Sequence, residues 1–293
     1  MKCHLCLSEN KHRFAEVDSF GFPLVYSICE NCGFVYQSTQ NSQAADPDFY
    51  AETYRKIYQD NPEPTAKDVW IQGKRADHLV DWVKSQGNFI PKNFLDIGAS
   101  TGTLMHTFQE SFGCEVMGVE PGSAYRAYAG KNGLPMVASI EDLIDLQTDR
   151  FDLISLIHVL EHLPDPVSTL STIREALLAQ NGRLLLEVPN LYVHDSFELA
   201  HLSCFSRHTL AETVRQAGFK PIIIHNHGDP RSKMLKLYIT LLVEPAPKDL
   251  AIPSVRKEHW VTLKHQFGMG YRRVVQKLFP HQAWLPLPNE VES

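Results

Sequence analysis

The stretch 94–102, F-L-D-I-G-A-S-T-G, constrains the fold of this chain more than any other part of its sequence. An apolar run leads to an acid and a glycine, a second glycine follows four positions later, and an amphipathic segment comes next. This order predicts a strand, a tight turn and the start of a helix, which is the arrangement of a nucleotide-type site at the edge of a parallel sheet.

The spacing of the two glycines restricts the ligand. A dinucleotide fingerprint requires a further glycine two positions after the first, so that the backbone can approach a pyrophosphate. Ser100 occupies that position here, between Gly98 and Gly102. A ligand with an adenosine and a carboxylate but no phosphates tolerates this side chain, and S-adenosylmethionine is such a ligand. The free N–H groups and the positive dipole end of the following helix would interact with its carboxylate.

Another motif follows at the interval expected of alternating strands and helices. The pattern predicts a helix over Thr103–Phe112 and then a strand over 114–119, which ends at Glu120-Pro121. An acid at the tip of this strand, roughly 20 residues past the glycine turn, can accept hydrogen bonds from both ribose hydroxyls.

The third motif is acidic. A short strand predicted over 136–139 precedes Ile140, Glu141 and Asp142, where a carboxylate can accept from the adenine amino group. The almost unbroken apolar run 151–157 then predicts a central parallel strand. It leads into H-V-L-E-H at its carboxyl end, where open α/β sheets place their chemistry.

With these motifs the chain resembles the class I S-adenosylmethionine-dependent methyltransferases over about residues 92–244. The resemblance is carried by Asp96-Ile-Gly-Ala-Ser-Thr-Gly102, Glu120-Pro121, Glu141-Asp142 and His158-Val-Leu-Glu-His162. It implies an α/β fold with a seven-stranded, doubly wound, Rossmann-like sheet. It also implies that the cofactor is held by Asp96, Gly98, Ala99, Ser100, Gly102, Glu120, Pro121, Ile140, Glu141, Asp142 and His158.

Composition and motif order divide the chain into four parts. These are a cysteine-containing module (1–45), a helical segment that covers the cofactor (46–91), the methyltransferase core (92–244) and a basic, aromatic tail (245–293). Related methyltransferases lay a tyrosine of the second part over the methionine end of the cofactor. The resemblance implies this role for Tyr50, with Tyr54 as the alternative.

Two C-x-x-C pairs lie in the first part, Cys3 with Cys6 and Cys29 with Cys32. In a reducing compartment such pairs are metal ligands rather than disulfides, and four thiolates suit tetrahedral zinc. We therefore expect a structural Zn²⁺ that staples a segment too small to fold alone. Four free core cysteines are the alternative. Some saccharide C-methyltransferases carry a similar N-terminal zinc module, which narrows the resemblance to that group.

Two histidines and a carboxylate lie within residues 158–162. A metal site or a general base is one interpretation of this set. In the interpretation that we prefer, His158 lines the cofactor pocket, while Glu161 and His162 cap the turn and the helix that begins near Asp165.

The methyl acceptor should bind beside the segment 191–205, which follows the fifth strand and carries several titratable side chains. On a helix Glu198 and His201 would share a face, and a carboxylate beside an imidazole raises its basicity and orients its ring. We therefore predict that His201 is the base that removes the acceptor's proton and that Glu198 assists it. A structural histidine is the alternative.

Sugar C-methyltransferases carry a Y-H-E-H-L-S-Y-F-S-like stretch at the corresponding place. This chain resembles it only over His201-Leu-Ser-Cys-Phe-Ser206, because Glu198 and Ala200 stand where that pattern has tyrosine and glutamate. O-methylation is therefore as open as C-methylation.

The resemblance implies an enzyme that methylates a small molecule, a saccharide or a nucleotide-linked sugar. Another natural product or RNA is one alternative, and a non-catalytic scaffold that recruits a protein through the zinc module is another. The net charge of -6 argues against general binding of nucleic acid, which requires a basic surface. No signal peptide or membrane span is recognisable, so we expect a cytoplasmic protein without a membrane partner.

The tail is basic and aromatic between residues 256 and 277, where Lys and Arg far outnumber the single acid Glu258. One interpretation is a surface for nucleic acid or an anionic substrate. We prefer a helix whose aromatic side chains pack on the body of the protein or on a second copy in a homodimer.

Overall fold

The structure is a computed structural model that describes residues 2–19, 21–39, 63–87, 89–146, 149–247 and 252–286. Tyr50 and Tyr54, the predicted cofactor-covering tyrosines, lie outside the described residues. The strands are β1 (Lys11–Ser19), β2 (Phe22–Cys29), β3 (Val35–Gln37), β4 (Asn93–Ile97), β5 (Glu115–Val119), β6 (Met136–Val137), β7 (Phe151–Ile157), β8 (Leu178–Pro189), β9 (Ser203–Cys204), β10 (Phe219–His227) and β11 (Tyr238–Pro245). The helices are α1 (Ala66–Ser85), α2 (Thr103–Phe112), α3 (Ser123–Lys131), α4 (Ile140–Asp145), α5 (Pro166–Thr172), α6 (Arg207–Gln216), α7 (Val261–Leu278) and α8 (Pro280–Ala283).

The larger sheet has seven strands within the described ranges, in the order β10-β11-β8-β7-β4-β5-β6. The strands from β8 to β6 in this order are parallel, whereas β11 is antiparallel to both of its neighbours. Phe94 packs in one buried cluster and its neighbour Leu95 packs in another, so both faces of β4 are covered. The predicted doubly wound, seven-stranded α/β fold is confirmed.

The strand register brings the site motifs to one edge of this sheet. Asp96 lies opposite Ser155 on β7, and Ile157 lies opposite Glu187 on β8. The turns after β4 and β7 therefore meet at the carboxyl edge, where the strand order reverses direction and where open α/β sheets bind their ligands.

Most predicted element boundaries near the site agree with the structure. The helix over Thr103–Phe112 and the strand over Phe151–Ile157 have the predicted bounds. The short strand predicted over 136–139 ends at Val137 instead, because Ser139 is the N-cap of α4 and its side chain accepts from the Asp142 N–H.

A smaller antiparallel sheet, β1-β2-β3-β9, contains most of the N-terminal module. Its last strand comes from the segment after β8, with Cys204 opposite Val35 and Ser203 opposite Tyr36. Phe34 and Tyr36 are fully buried in the same cluster as side chains of β7 and β8. The predicted module 1–45 thus takes one strand of its sheet from the predicted core.

Glu258 connects the C-terminal segment to both sheets. Its N–H donates to the Cys32 carbonyl at 2.9 Å, and its buried carboxylate accepts from the Tyr192 hydroxyl at 2.6 Å and from the Ser206 hydroxyl. Gly33 has φ +80°, and a Cβ at this position would collide with the Glu258 carbonyl. A glycine is therefore required where the C-terminal segment meets the second cysteine pair.

The helix α7 presents aromatic side chains to solvent. Trp260 at its N-cap is 74% exposed and Phe267 is 78% exposed. The prediction that these aromatic side chains pack on the body is therefore wrong, while packing on a second copy stays a prediction. Within the described ranges, none of the helices combines the length and the apolar character that crossing a bilayer requires.

Glu212 on α6 anchors the start of the C-terminal segment. Its carboxylate is 1% exposed and accepts from Arg256 Nε at 2.9 Å and from Arg215 Nη1 at 2.6 Å. Burial alone would raise the pKa of Glu212, but the hydrogen bonds and charge of Arg256 lower it below its ordinary value. The carboxylate is thus ionised and paired.

We expect Glu212→Gln to lower the free energy of unfolding by about 1 to 3 kcal/mol, because a buried carboxylate loses charge-assisted hydrogen bonds. Glu244→Gln is the matched control, since it breaks the exposed Lys220–Glu244 pair and should cost less than about 1 kcal/mol. Urea and thermal unfolding measure both losses. Equal losses in the two variants would contradict the anchoring role.

Candidate functional site

The turn after β4 has the backbone geometry that the glycine pattern predicts. Gly98 and Gly102 have φ values of +77° and +78°, which favour glycine. The N–H groups of Gly98 and Ala99 donate to the Val119 carbonyl at 2.7 and 3.0 Å. A Cβ on Gly98 would collide with the Val159 side chain. The turn is therefore held tightly between β5 and the loop after β7.

Ser100 has a positive φ of +49°, and Gln72 of α1 donates to its hydroxyl at 2.7 Å. Gln72 also accepts from the Thr101 hydroxyl at 3.3 Å. The helix α1 thus fixes the side-chain orientation of the residue that distinguishes this turn from a dinucleotide fingerprint. No sequence pattern singled out Gln72, because a glutamine on a helix is ordinary.

Glu120 lies directly against this turn. It is 4% exposed, and its two carboxylate oxygens accept from the Ser100 N–H at 2.9 Å and the Gly122 N–H at 2.8 Å. Pro121 follows it, exposed, and the Pro121 carbonyl accepts from Arg126 at 2.7 Å. The structure therefore brings together the glycine turn and the acid after β5, as the sequence predicts.

Asp96 is buried beneath the turn. Its carboxylate accepts from the Ser155 hydroxyl at 2.6 Å. Burial raises the pKa of Asp96 to about 7, although the Ser155 hydrogen bond acts in the opposite direction. An acid with this pKa is partly protonated at neutral pH and can donate as well as accept.

The third predicted motif lies at the N-terminus of α4. Ile140 is half-buried and Glu141 is exposed. Asp142 Oδ2 accepts from the Ser139 N–H at 3.1 Å in a capping box. One oxygen of Asp142 therefore stabilises the start of the helix. The hydrogen bond predicted from the adenine amino group would be accepted by the other oxygen of Asp142 or by Glu141.

His158 lies between two buried carboxylates. Its Nε2 is 3.2 Å from Glu187 Oε1 and its Nδ1 is 3.4 Å from Glu161 Oε1. Burial and the charge of Arg75 would lower the pKa of His158, but the two carboxylates outweigh both and raise it. The backbone of His158 has φ +56°, a strained conformation that is common at functional sites.

Glu187 is a site residue that the sequence analysis did not single out. It is fully buried on β8 and pairs with Arg75 Nε at 3.1 Å and with His227 Nε2 at 3.2 Å. The only signal for it is a lone acid in the apolar run of β8, R-L-L-L-E-V-P. His227 lies at the end of β10.

Glu161 and His162 do not cap the next helix, so this prediction is wrong. Asp165 is the N-cap of α5 and accepts from the Ser168 N–H at 2.9 Å. Glu161 instead turns inward and is 1% exposed. Burial alone would raise the pKa of Glu161, but the histidines around it lower it to about 2.

The segment 191–202 forms turns and irregular structure, so the assumption of a helix that joins Glu198 and His201 is wrong. Tyr26 OH donates to the carbonyls of Glu198 at 2.7 Å and His201 at 2.9 Å, and Gln37 Nε2 also donates to the carbonyls of residues 198, 199 and 201. The Glu198 carbonyl also accepts from the His201 N–H at 3.1 Å, which closes a turn rather than an α-helix. Glu198 and His201 still meet, with 4.0 Å between Oε2 and Nε2.

His201 is buried and its ring orientation is fixed. Its Nδ1 lies 3.0 Å from the Ser196 carbonyl, and the ring centroid is 4.9 Å from that of His162. Burial lowers the pKa of His201, although Glu161 nearby acts in the opposite direction. A neutral ring whose Nδ1 donates to a carbonyl has its lone pair on Nε2.

The four N-terminal cysteines converge on one point. The Sγ atoms of Cys3 and Cys32 are 3.6 Å apart, those of Cys6 and Cys29 are 3.5 Å apart, and all four lie within 4.8 Å of one another. A tetrahedron of zinc-bound sulfurs has edges of about 3.8 Å, whereas a disulfide requires about 2.05 Å. The donor set fits a zinc ion and no disulfide.

This fold and this site define a class of protein. A doubly wound sheet whose last strand, β11, is antiparallel, with a glycine turn after β4 and an acid after β5, is a class I methyltransferase domain of the S-adenosylmethionine-dependent type. The methyltransferase-domain family model matches residues 71–223, just over half of the chain. The chain belongs to this family, and the prediction of an S-adenosylmethionine-dependent methyltransferase domain is confirmed.

Curated relatives are ubiquinone biosynthesis O-methyltransferases. That of Actinobacillus pleuropneumoniae serotype 5b is 32% identical over 123 residues, which cover 38% of this chain and 52% of the relative. That of Pseudomonas fluorescens is 31% identical over 98 residues, which cover 31% of this chain and 42% of the relative. The matched part of the chain thus spans about half the length of these relatives, or less.

Among solved structures, the Burkholderia thailandensis 1,6-didemethyltoxoflavin-N1-methyltransferase with bound S-adenosylhomocysteine has a similar fold. It aligns with a TM-score of 0.52 and 21% identity, over 81% of this chain and all of the other. At this identity the likeness concerns the fold alone.

We expect Glu120→Ala to weaken binding of S-adenosylhomocysteine by at least tenfold, because the two ribose hydroxyls would lose a charged acceptor worth about 1.5–3 kcal/mol for each hydrogen bond. Glu115→Ala, at the exposed opposite end of β5, is the matched control. Calorimetry measures both affinities, and a melting curve without ligand checks that the turn survives. Unchanged affinity of Glu120→Ala for S-adenosylhomocysteine would refute the prediction that Glu120 accepts from the ribose hydroxyls.

Proposed function

We propose that this protein transfers the methyl group of S-adenosylmethionine to a small molecule, a saccharide or a nucleotide-linked sugar. The observation that carries the proposal is that two groups of side chains share one sheet edge. One group surrounds the glycine turn with Asp96 and Glu120, and the other contains Glu161, His162 and His201. The first group suits a cofactor, and the second suits an acceptor that must lose a proton.

In this proposal the glycine turn from Gly98 to Gly102 receives the methionine end of the cofactor, and Glu120 accepts from the ribose. Ile140, Glu141 and Asp142 border the adenine, and Pro121 and His158 line the remaining wall. The enzyme's task is to align the acceptor for in-line attack on the sulfonium methyl and to assist removal of its proton. We assign this assistance to His201, beside Glu198.

The relatives favour a second candidate, which is transfer to an oxygen atom. They are O-methyltransferases named for ubiquinone biosynthesis, and the two relatives above are 32% and 31% identical to this chain over the matched residues. The matched region covers less than half of this chain, so it does not specify the acceptor. Carbon and oxygen acceptors therefore belong in the same screen.

RNA and a scaffold function have less support. The net charge of -6 does not favour a polynucleotide, and a scaffold has no physical need of an acid that contacts the glycine turn. Salt-dependent binding to polynucleotide would revive the first alternative, and absence of cofactor binding would revive the second.

The acceptor is found by screening nucleotide sugars and phenolic hydroxyl compounds for methyl transfer from labelled S-adenosylmethionine. With the acceptor identified, His201→Ala should lower turnover by about 100- to 10,000-fold, the usual contribution of a group that assists proton transfer. Affinity for S-adenosylhomocysteine should barely change, since His201 lies on the acceptor side. Full turnover in His201→Ala would refute the assignment. His208→Ala is the matched control, because this half-buried histidine of α6 contacts the Arg256 carbonyl.

We further propose that Cys3, Cys6, Cys29 and Cys32 bind a structural Zn²⁺. The support is the convergence of four sulfurs, three of them buried and one half-buried. Hydrogen bonding from Cys32 lowers the pKa of Cys3 to about 6, whereas burial raises the pKa of Cys6 to about 12. A cation is required before all four sulfurs can be thiolates.

We expect Cys29→Ser to lose one equivalent of zinc relative to the unmodified chain and to melt at a lower temperature, because the site would lack a thiolate ligand. Cys114→Ser is the matched control, because that buried cysteine lies outside the cluster. Elemental analysis of the purified proteins gives the metal content. Equal zinc in the two variants, with reactive N-terminal thiols in the folded protein, would contradict the site.

A further inference from the structure

The carboxylate of Glu161 is buried without hydrogen bonds from the described part of the chain. It is 1% exposed, and neither of its oxygens accepts a hydrogen bond from a described residue. His158 Nδ1 lies 3.4 Å from Oε1, but the opposite nitrogen of that ring already contacts Glu187. Burying an ionised carboxylate is costly unless a cation or donors compensate it. His158 contacts only Oε1, so Oε2 of Glu161 has no hydrogen-bond partner within the described residues, and a further cation would complete the surroundings of this carboxylate.

Two imidazole rings converge on this carboxylate. One ligand atom each from Glu161, His162 and His201 lies within 4.8 Å of the other two. The Nδ1 of His162 is 2.9 Å from the Ala200 carbonyl, and the Nδ1 of His201 is 3.0 Å from the Ser196 carbonyl. A carbonyl only accepts, so each Nδ1 carries the proton and each Nε2 has the lone pair. Outer carbonyls orient metal-binding histidines in this way.

The backbone holds these ligands in register. Glu161 and His162 are adjacent in the turn Leu160–His162 that follows β7, and His201 belongs to the segment after β8. The Leu202 N–H donates to the Glu161 carbonyl at 2.9 Å, which joins the two segments directly beside the cluster. A main-chain hydrogen bond between the two segments thus holds the three proposed ligands near one another.

We propose that Glu161, His162 and His201 bind a divalent transition-metal ion on the acceptor side of the methyltransferase site. Two imidazole nitrogens and one carboxylate oxygen suit Zn²⁺, Co²⁺ or Mn²⁺, whereas Mg²⁺ and Ca²⁺ prefer oxygen ligands alone. Three protein ligands also leave coordination positions open, as catalytic sites do and closed structural sites do not. An acceptor hydroxyl can occupy an open position.

The role of this ion in proton removal rests on the proposed function, whereas its binding does not. A hydroxyl bound to the ion loses its proton to water more readily than a free hydroxyl does. The oxygen then donates an electron pair to the methyl carbon. The bond between that carbon and sulfur breaks, and its electrons stay on sulfur as S-adenosylhomocysteine leaves. In this scheme His201 assists proton removal indirectly, because it is a ligand of the ion that binds the hydroxyl.

A second cluster of possible metal ligands provides a control for where the ion binds. His78, His227 and Asp229 also have ligand atoms within 4.8 Å of one another. The carboxylate of Asp229, however, is exposed to solvent, so this cluster has no buried carboxylate that needs a cation. His227 Nε2 also already contacts Thr240 Oγ1 at 2.6 Å and Glu187 at 3.2 Å. Substitution of Glu161 or His201 should therefore weaken binding of the proposed metal ion, whereas substitution of His78 should not.

The test titrates the full-length protein, with zinc retained on its cysteines, with Co²⁺. Calorimetry and visible absorption should report one Co²⁺ per chain beyond the zinc, with ligand-field bands but no sulfur-to-cobalt charge transfer. Glu161→Gln and His201→Gln should weaken Co²⁺ binding at least tenfold. His78→Gln and the exposed His106→Gln should leave it unchanged. Melting curves show whether each variant is folded.

Crystals soaked in Co²⁺ keep the test independent of the variants. The anomalous peak should lie about 2.0–2.2 Å from the Nε2 atoms of His162 and His201 and from a Glu161 oxygen. No Co²⁺ beyond the zinc, a peak at another place, or loss of binding in His78→Gln would each overturn the proposal. Binding of S-adenosylhomocysteine without Co²⁺ binding would overturn it and leave the proposed function standing. Failure to bind S-adenosylhomocysteine would count against the proposed function alone.

Discussion

The proposed acceptor side of the site depends on hydrogen bonds that come from the N-terminal sheet. Tyr26 OH and Gln37 Nε2 donate to the main-chain carbonyls of residues 198, 199 and 201, and β9 pairs with β3 immediately afterwards. These contacts hold the segment after β8 in an irregular conformation and place His201 beside Glu161. The module thus takes part in holding this segment, together with the hydrogen bond from the Leu202 N–H to the Glu161 carbonyl.

The two halves of the site are built in different ways. The cofactor half is local, since β4, its turn and the acid after β5 lie within about 25 residues and are joined by main-chain hydrogen bonds. The acceptor half joins Glu161, His201 and Tyr26, which are far apart in sequence. The C-terminal segment adds a third connection, since Glu258 contacts Cys32 and Ser206.

This difference explains what the sequence could predict. The helix Thr103–Phe112, the strand Phe151–Ile157 and the contact of Glu120 with the turn follow from periodicity and spacing, which are local signals. The helix assumed near His201 was wrong, because residues 191–202 form turns and irregular structure held by hydrogen bonds from residues 26 and 37, and no local pattern reports such contacts. The burial of Glu161 and the role of Glu187 also depend on neighbouring strands, so sequence spacing alone could not reveal them.

Hydrogen–deuterium exchange of the chain and of Cys29→Ser tests most directly whether the four-cysteine module holds the proposed acceptor side. If it does, the variant should lose protection in residues 198–206, including the Leu202 amide that donates to Glu161, while the amides of β4 and β5 keep theirs. The same protection at 198–206 in both proteins would contradict the account. Loss of protection throughout the larger sheet would contradict it too, because the cofactor half would then not be independent.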